Sequence, residues 1–382
     1  MKAFRALVSI LLCSALFSCS QSDPEEKPSI DPPEEPTPLP VDPTSEDTVT
    51  IAYGADLGWC TAMEDKGHLF YGFSSREPKE CTAVMSELGV DALRLRVLVD
   101  PSDDYCNVQD VLRKAKRGAA LGMRIMVAFH YTSQLASATF QTVPEAWGNE
   151  DFEGLLSRVR LHTTEVLQAL KDEHIHVEWV QIGNETDSGF LFPMGNIERS
   201  AEHYVRLFGT GAEAARKIYP DAQIVVHLQR GYDQKSTRSH LDLLGEKNFD
   251  IIGFSLRPTE VVGEKFRDVQ SGVLIQIASP EEAIEYTFLN MDLLFERYRK
   301  KSMLVEVGLP VAEETRSTQR MHTIVNKAKE CAICQGIFYW EPESYNDVQY
   351  NKGVWSLNPL SVFLSNGRPT NILEAFEHKI GE

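Results

Sequence analysis

Residues 177–185 read VEWVQIGNE, a mostly apolar run that ends in a glycine, an amide and a carboxylate. The run is short, contains Val and Ile, and does not alternate strictly between apolar and polar positions. This pattern is typical of a strand that is buried on both faces of a parallel sheet. The segment therefore predicts an α/β fold in which this strand ends in polar side chains.

Seven other runs along the chain have the same character. They are rich in Val, Ile, Leu and Phe and span residues 50–56, 92–99, 124–130, 223–228, 251–256, 303–307 and 336–340. Stretches with apolar residues at helical spacing lie between them, at residues 78–88, 108–121, 152–170, 201–218, 283–298 and 318–332. Eight strands, each followed by a helix, predict a (β/α)₈ TIM barrel, as a single domain at residues 48–382. A doubly wound open sheet is the alternative, but the chain has no Gly-x-Gly-x-x-Gly turn and no phosphate-binding loop.

Residues 1–18 are predicted to be a signal peptide. Lys2 and Arg5 precede an apolar segment at residues 6–17, which is too short to span a membrane as a helix. A small residue directly before Cys19 resembles a bacterial lipoprotein cleavage box, which implies lipidation of the Cys19 thiol and attachment to a membrane. An ordinary signal peptide with an incidental cysteine is the alternative. Acidic residues shortly after Cys19 resemble an outward export signal, so we expect the protein at the outer membrane, on the cell surface.

Residues 19–47 are predicted to be a disordered tether. Residues 20–50 contain eight prolines, nine acidic residues and one lysine. Such a composition cannot bury enough apolar surface to offset chain entropy, and its prolines favour an extended chain. The whole chain has a net charge of -18, and the part after the tether is also acidic. This balance argues against nucleic acid or anionic lipid as a partner and suits a neutral substrate such as a sugar. We expect a monomer.

Five cysteines lie beyond the tether, an odd number that cannot pair completely within an exported chain. Cys331 and Cys334 have the spacing of a metal or redox pair. No second pair and no histidine cluster accompanies them, so a pair at a helix end or a simple disulfide is the preferred interpretation.

Polar or aromatic side chains follow nearly every predicted strand. The carboxyl ends of the strands in such a barrel meet at one rim, where the chemistry takes place. The side chains delivered there include Asp56, Arg94, His130, Asn184, Glu185, His227, Glu306 and Trp340. Capping or solvation would explain one such residue. A polar or aromatic group at nearly every strand end indicates a functional site.

Glu185 and Glu306 matter most, because they end the fourth and seventh strands on opposite sides of the predicted mouth. Hydrolysis of a glycosidic bond needs one carboxylic acid to protonate the leaving oxygen, and a second carboxylate to attack the anomeric carbon or to activate water. A separation of roughly 5 to 5.5 Å between the two groups predicts a retaining mechanism, and a wider gap predicts inversion. A structural ion pair of Glu306 with Arg94 or Arg96 is the alternative.

The other rim residues suggest supporting roles. The Asn184 amide can hydrogen-bond a sugar 2-hydroxyl, a contact that strengthens in the transition state. His130, His227 and Arg94 can orient the carboxylates, and Asp56 joins them as a candidate substrate-binding residue. Trp340 offers a flat surface for a sugar ring, although a core tryptophan is the alternative.

Several of these segments resemble glycoside hydrolase family 53, the arabinogalactan endo-β-1,4-galactanases. The matching segments are GAD at 54–56, LRLRV at 93–97, FHY at 129–131, VQIGNE at 180–185, DIIGFS at 250–255 and FYWEP at 338–342. The resemblance runs from residue 51 to about residue 376. It implies an endo-acting, retaining hydrolase of β-1,4-galactan, with Glu185 as acid/base and Glu306 as nucleophile.

The chain departs from the family pattern at three places. The family usually has Tyr-Tyr-Pro after the serine at position 255, whereas this chain has Leu256-Arg257-Pro258. Residues 132–137 and 307–310 also differ from the family's sugar-contacting segments. These changes motivate two alternatives, a catalytically weakened barrel that acts as a cell-surface glycan-binding lipoprotein, and a relative that cleaves another β-linked polysaccharide.

No cofactor is expected to be required. Some family members bind calcium in the last long loop, and the oxygens of Asp347 and Asn351 are candidate ligands at the corresponding place.

Overall fold

Eight parallel strands close into a barrel in the computed structural model of this chain, which describes residues 51–345 and 359–377. The barrel strands are β1 (Ala52–Asp56), β2 (Ala92–Val97), β3 (Arg124–Phe129), β4 (Trp179–Ile182), β5 (Gln223–Leu228), β6 (Ile251–Leu256), β9 (Lys301–Val307) and β10 (Cys334–Trp340). Their order around the barrel is β1-β10-β9-β6-β5-β4-β3-β2. The pairing of β1 with β10 closes the sheet, which confirms the predicted TIM barrel and excludes the open sheet.

Helices cover the outside of the barrel. They are α1 (Cys60–Asp65), α2 (Cys81–Glu87), α3 (Val108–Ala120), α4 (Phe152–Asp172), α5 (Ala201–Ile218), α6 (Gln234–Leu244), α7 (Pro280–Tyr298) and α8 (Glu314–Glu330). Six of them begin at a side chain that accepts from a backbone N–H of the first turn, namely Glu80, Asn107, Asp151, Ser200, Asp233 and Ser279. Such caps satisfy N–H groups that have no partner inside the helix, and they fix where each helix starts.

The structure corrects the predicted alternation in three places. Helices α1 and α6 are additional to the predicted set. A short antiparallel hairpin, β7 (Lys265–Arg267) with β8 (Leu274–Gln276), lies between β6 and α7. Within the described residues, a 3₁₀ helix at Asn371–Phe376 follows β10, where an α-helix was expected.

The barrel interior is filled by its own apolar cluster below the polar rim. Its members are Ala52, Ala92, Met126, Trp179, Val225, Ile251, Met303, Val305 and Phe338. Trp179 meets Phe338 edge to face, with ring centroids 5.9 Å apart. Gly54 makes this packing possible, because a Cβ at position 54 would come within 2.1 Å of the Phe338 ring. The filled floor leaves only the upper strand ends open for chemistry.

We expect Trp179→Ala to destabilise the barrel by about 3–5 kcal/mol, because it removes a completely buried ring and leaves a cavity among rigid strands. The free energy of unfolding in urea measures the effect. Leu161→Ala is the matched control, since Leu161 is 63% exposed on α4 and its loss is expected to change stability by less than about 0.5 kcal/mol. Equal effects of the two substitutions would contradict the packing described here.

Several predicted features lie outside the described residues, namely the signal peptide, Cys19, the tether, Asp347 and Asn351. In the part of the chain that is described, none of the helices is both long and apolar enough to cross a bilayer.

The five cysteines beyond the tether are all free thiols. Cys331 lies at the C-terminal end of α8 and Cys334 begins β10, which agrees with a pair at a helix end.

Candidate active site

The register of the barrel gathers the predicted rim residues at one end. Asp56 lies beside Arg94 on one neighbouring strand and beside Trp340 on the other. Ser255 lies beside Glu306, after an irregularity in the pairing of β6 with β9. The sequence folds in this way because each strand enters the rim directly from its apolar run, so the first polar residues after the runs share one level.

Glu185 occupies a special backbone position at the end of β4. Its φ and ψ angles of 46° and 58° are left-handed, directly before a 3₁₀ turn at Thr186–Ser188. A left-handed conformation costs a non-glycine residue roughly 1–3 kcal/mol and persists only where its surroundings enforce it. The backbone N–H of Glu185 donates to Nδ1 of His227 at 3.3 Å, which is one such constraint. Strain of this kind is common at functional sites.

The structure brings the two glutamates together. One carboxylate oxygen of Glu185, one of Glu306 and one ring nitrogen of His227 all lie within 4.8 Å of one another. Both glutamates are buried, with 3% and 2% of their surfaces exposed. Facing oxygens this near to each other fit the close class of carboxylate pairs, whose carboxyl groups lie roughly 5–5.5 Å apart, better than the wider pairs of inverting enzymes.

Arg94 holds Glu306 from below the rim. Its Nη1 lies 3.0 Å from Glu306 Oε1 and also contacts Asp56. Its other nitrogens donate to Asn184 Oδ1 at 2.7 Å and to Gln181 Oε1 at 3.0 Å. The ion pair that the sequence offered as an alternative therefore exists with Arg94. Because it fixes the position of the Glu306 side chain, it is also compatible with a catalytic role for Glu306.

Arg257 contacts both glutamates. Its Nη2 lies 2.5 Å from Glu306 Oε2 and its Nη1 lies 3.3 Å from Glu185 Oε1. Its guanidinium carbon also lies 4.7 Å from the centroid of the Trp340 ring. Arg257 was noted in the sequence only as a departure from the family pattern, and the residues give no periodic signal that would place it between the carboxylates.

The surroundings of Glu185 favour its protonated form. Burial raises its pKa, the charge of Arg257 opposes this, and the nearby Glu306 raises the pKa further, so that the net shift is upward. The Ser255 hydroxyl donates to Glu185 Oε1 at 2.7 Å, and the Ala138 N–H donates to Oε2 at 3.3 Å. Desolvation and a like charge are the usual means by which proteins keep a carboxylic acid protonated near neutral pH.

His227 joins the two halves of the site. Its Nε2 lies 2.9 Å from Ser255 Oγ and its Nδ1 lies 2.9 Å from Asn184 Oδ1. Burial lowers the pKa of His227 well below its usual range, and the charges of Arg94 and Arg257 lower it further. The imidazole is therefore neutral at pH 7. It positions Ser255 and, through it, Glu185.

The remaining predicted residues are His130, Asp56 and Trp340, which contact the neighbours of the two catalytic carboxylates. His130 Nδ1 accepts from the Ala136 N–H at 3.1 Å, so His130 fixes the loop after β3 that also supplies the Ala138 N–H. Asp56 is completely buried and forms ion pairs with both Arg94 and Arg96. Trp340 is partly exposed beneath Arg257 and is not a fully buried core residue.

A second acidic pair lies behind the rim and was absent from the sequence prediction. Glu341 Oε1 contacts Arg96 at 2.5 Å and accepts from Trp59 Nε1 at 3.1 Å. Glu343 accepts from the Trp59 backbone N–H at 2.7 Å. Burial and the neighbouring Glu341 raise the pKa of Glu343 to about 8. Both residues join the segment after β10 to Trp59, and the FYWEP segment contains only Glu341.

We expect Glu343→Gln to change the pH dependence of stability. Glutamate ionises near 4.5 in an unfolded chain but near 8 in the folded protein, so unfolding releases a proton between these values. The wild type therefore loses stability as pH rises from about 4.5 to 8, by roughly 3–5 kcal/mol from this group alone. Glutamine does not ionise, so the unfolding free energy of the variant relative to the wild type rises across that window. Parallel pH profiles of urea unfolding would contradict the burial of this carboxyl.

Glu185, His227 and Glu306 also have the spacing of a metal site. The Arg257 guanidinium contacts both carboxylates, however, and its positive charge opposes a metal ion at the same place. The residues present therefore fit a sugar-cleaving carboxylate pair better than a metal centre.

Known proteins resemble this chain in sequence. The family model for Glycosyl hydrolase family 53 matches residues 52–376. A protein of Aspergillus flavus described as "Probable arabinogalactan endo-beta-1,4-galactanase A" is 28% identical over 299 residues, which cover 76% of this chain and 84% of that protein. The "Arabinogalactan endo-beta-1,4-galactanase" of Humicola insolens is 24% identical over 335 residues, which cover 85% of this chain and 98% of that protein.

A solved structure resembles the fold. The GH53 catalytic domain of Ignisphaera aggregans superposes with a TM-score of 0.74 at 22% identity, covering 89% of this chain and 99% of that one. At this identity the likeness concerns the barrel fold alone.

Proposed function

The chain belongs to glycosyl hydrolase family 53, and from this premise we propose that it cleaves β-1,4-galactan within the polysaccharide and with retention of anomeric configuration. The resemblance seen in the sequence is thereby confirmed. The observation that carries the mechanism is the buried pair of Glu185 and Glu306, with oxygens within 4.8 Å in the barrel mouth.

Glu185 is assigned as the acid/base. In the first step its proton passes to the leaving glycosidic oxygen while a Glu306 oxygen bonds to the anomeric carbon, so that one C–O bond breaks as another forms. In the second step Glu185 takes a proton from water, whose oxygen displaces Glu306 from the anomeric carbon. The raised pKa of Glu185 supports this role, because the residue must hold a proton at the start of each cycle.

Arg94 and Asn184 support the nucleophile. Arg94 fixes Glu306 Oε1, which leaves the other oxygen of Glu306 for the sugar once Arg257 has moved. The Asn184 amide donates one hydrogen to the Ala136 carbonyl at 2.9 Å, and its second hydrogen is then available to a sugar 2-hydroxyl. Such a contact strengthens as charge develops on the ring.

The galactan assignment rests on the family and on the names of the relatives from Aspergillus flavus and Humicola insolens. The acidic chain suits a neutral polysaccharide. Incubation of the purified protein with linear β-1,4-galactan, mannan and β-glucan tests it, with released oligosaccharides separated by size. We expect galacto-oligosaccharides of several lengths from galactan alone. Release from mannan or β-glucan instead would support the relative with another substrate, and binding without release would support the glycan-binding alternative.

We also propose that the protein is a lipoprotein on the bacterial surface. Cys19 after the apolar segment and the acidic, proline-rich tether support this proposal. Labelled fatty acid is expected to enter the wild type and not Cys19→Ala, and protease added to intact cells is expected to remove the protein. Equal labelling of both forms would contradict lipidation at Cys19.

A further inference from the structure

Arg257 occupies the place that a sugar ring needs. Its guanidinium lies between the two carboxylates and above Trp340, with contacts of 3.3 Å and 2.5 Å to the glutamates. A sugar whose anomeric carbon lies between Glu185 and Glu306 would overlap with this side chain. Both of these contacts must therefore break before the proposed reaction can begin.

A second position for the side chain exists next to the first. A cavity of about 180 Å³ lies beside Arg257, and the charged side chains that line it with Arg257 are Arg230, Glu260 and Glu264. The two glutamates of this cavity are exposed, and Glu260 already attracts the Arg257 charge. The two carboxylates outnumber the one other cation of the cavity, Arg230, so an arginine that leaves the catalytic glutamates finds opposite charge and free volume next to its present position.

We propose that Arg257 is a positioning residue that holds both glutamates in the sugar-free protein and moves toward Glu260 and Glu264 when a sugar binds. Only the movement of Arg257 on sugar binding rests on the proposed function. It assigns a role to the residue at which the chain departs most clearly from the Tyr-Tyr-Pro pattern.

This movement links sugar binding to the proton on Glu185. The charged groups that face Glu185 are Arg257 from the loop after β6, Glu306 from β9 and Asp187 from the turn after Glu185 itself. The polar groups around it are the Ser255 hydroxyl from β6, the neutral His227 ring from β5 and the Ala138 N–H from the loop after β3. Arg257 is the cation among these groups. Its departure removes the charge that opposes protonation, so Glu185 binds its proton more tightly once the sugar is in place.

The pH dependence of galactan hydrolysis tests the inference. The basic limb of the kcat/KM profile reports the pKa of the catalytic acid in the free enzyme. The basic limb of the kcat profile reports the pKa of the same acid in the enzyme–substrate complex. For the wild type we expect the kcat limb at higher pH than the kcat/KM limb. For Arg257→Gln we expect the kcat/KM limb to rise by about 1–3 pH units to meet the kcat limb, and KM to fall. Unchanged limbs in Arg257→Gln would overturn the proposal.

Two further variants test whether the shift depends on the contacts of Arg257 or only on the net charge of the protein. Arg257→Lys keeps one charge but reaches one carboxylate at a time, so its kcat/KM limb is expected between those of the wild type and Arg257→Gln. Arg316→Gln removes one exposed positive charge from α8, where Arg316 pairs with Glu313 and contacts neither carboxylate, and is expected to leave both limbs unchanged. Equal shifts in Arg316→Gln and Arg257→Gln would reduce the effect to net charge and overturn the inference.

A measurement without turnover separates this inference from the proposed function. The Glu185 carboxyl carbon, labelled with ¹³C and assigned by comparison with Glu185→Gln, can be titrated in the free protein. Arg257→Gln is expected to raise its titration midpoint, and Arg257→Lys to raise it less. If galactan is not cleaved but the midpoint rises, the proposed function fails while the contact role of Arg257 stands. An unchanged midpoint in both variants overturns the role of Arg257 whatever the substrate.

Discussion

Glu306→Gln is expected to lower kcat on β-1,4-galactan by a factor on the order of 10⁴ or more, which corresponds to at least about 5.4 kcal/mol of transition-state stabilisation. The amide has nearly the size and shape of the carboxylate, but it cannot form the covalent bond to the anomeric carbon. Initial rates of reducing-sugar release measure the effect.

The Glu306→Gln variant is expected to remain folded, because Arg94 keeps its contact with Asp56 and Arg257 keeps its contact with Glu185. Thermal unfolding and galactan binding check this. Glu165→Gln is the matched control, since Glu165 is exposed on the outer helix α4, and its rate is expected within about twofold of the wild type. A Glu306→Gln variant with more than a tenth of the wild-type rate would contradict the role of nucleophile.

Glu185→Gln is expected to lower kcat on galactan by roughly 10²- to 10⁴-fold, because the leaving sugar oxygen then departs without a proton. The size of the loss depends on the leaving group. An aryl galactoside with an acidic phenol needs little protonation, so its first step is expected to proceed at nearly the wild-type rate in this variant.

The two substitutions therefore differ in a way that ordinary damage to the site would not produce. A burst of phenol followed by slow turnover is expected for Glu185→Gln, because the covalent intermediate forms and then waits for a general base. No burst is expected for Glu306→Gln. Bursts in both variants, or in neither, would contradict the assignment of the two roles.

The strands and the carboxylate pair could be predicted because their signals are local. A doubly buried strand needs a continuous apolar run, and a glutamate lies close to the end of both β4 and β9. Closure of the barrel then brings Glu185 and Glu306 together without further information from the sequence. The hairpin β7–β8 escaped prediction because only Phe266 among its strand residues is buried, which leaves no apolar alternation to detect.

The contacts made by long side chains could not be predicted in the same way. Arg257 lies two residues beyond Ser255 in the sequence, and its position follows from the reach of its side chain and the charges around it. Asp56 is expected to bind substrate, and its contacts with both arginines of the neighbouring strand β2 follow from the reach of their side chains. His130 was grouped with the carboxylates because all strand ends meet, although its ring contacts the loop at Ala136.

The same distinction applies to the protonation of the site. The sequence identifies two carboxylates, but their burial and the neighbours of each decide which one carries a proton. Glu185 accepts a hydrogen bond from Ser255 and has a longer contact with Arg257. Glu306 lies between the guanidinium groups of Arg94 and Arg257. This asymmetry separates an acid from a nucleophile, and it becomes visible only with the side chains in place.

The most direct test of the account is the anomeric configuration of the first product formed from linear β-1,4-galactan. Proton NMR spectra recorded during the first minutes of hydrolysis distinguish the α and β forms of the new reducing end before they interconvert. The close pair of Glu185 and Glu306 predicts that the β form appears first and the α form grows in later by mutarotation. Early appearance of the α form would show inversion, and it would contradict the double displacement that the close carboxylate pair predicts.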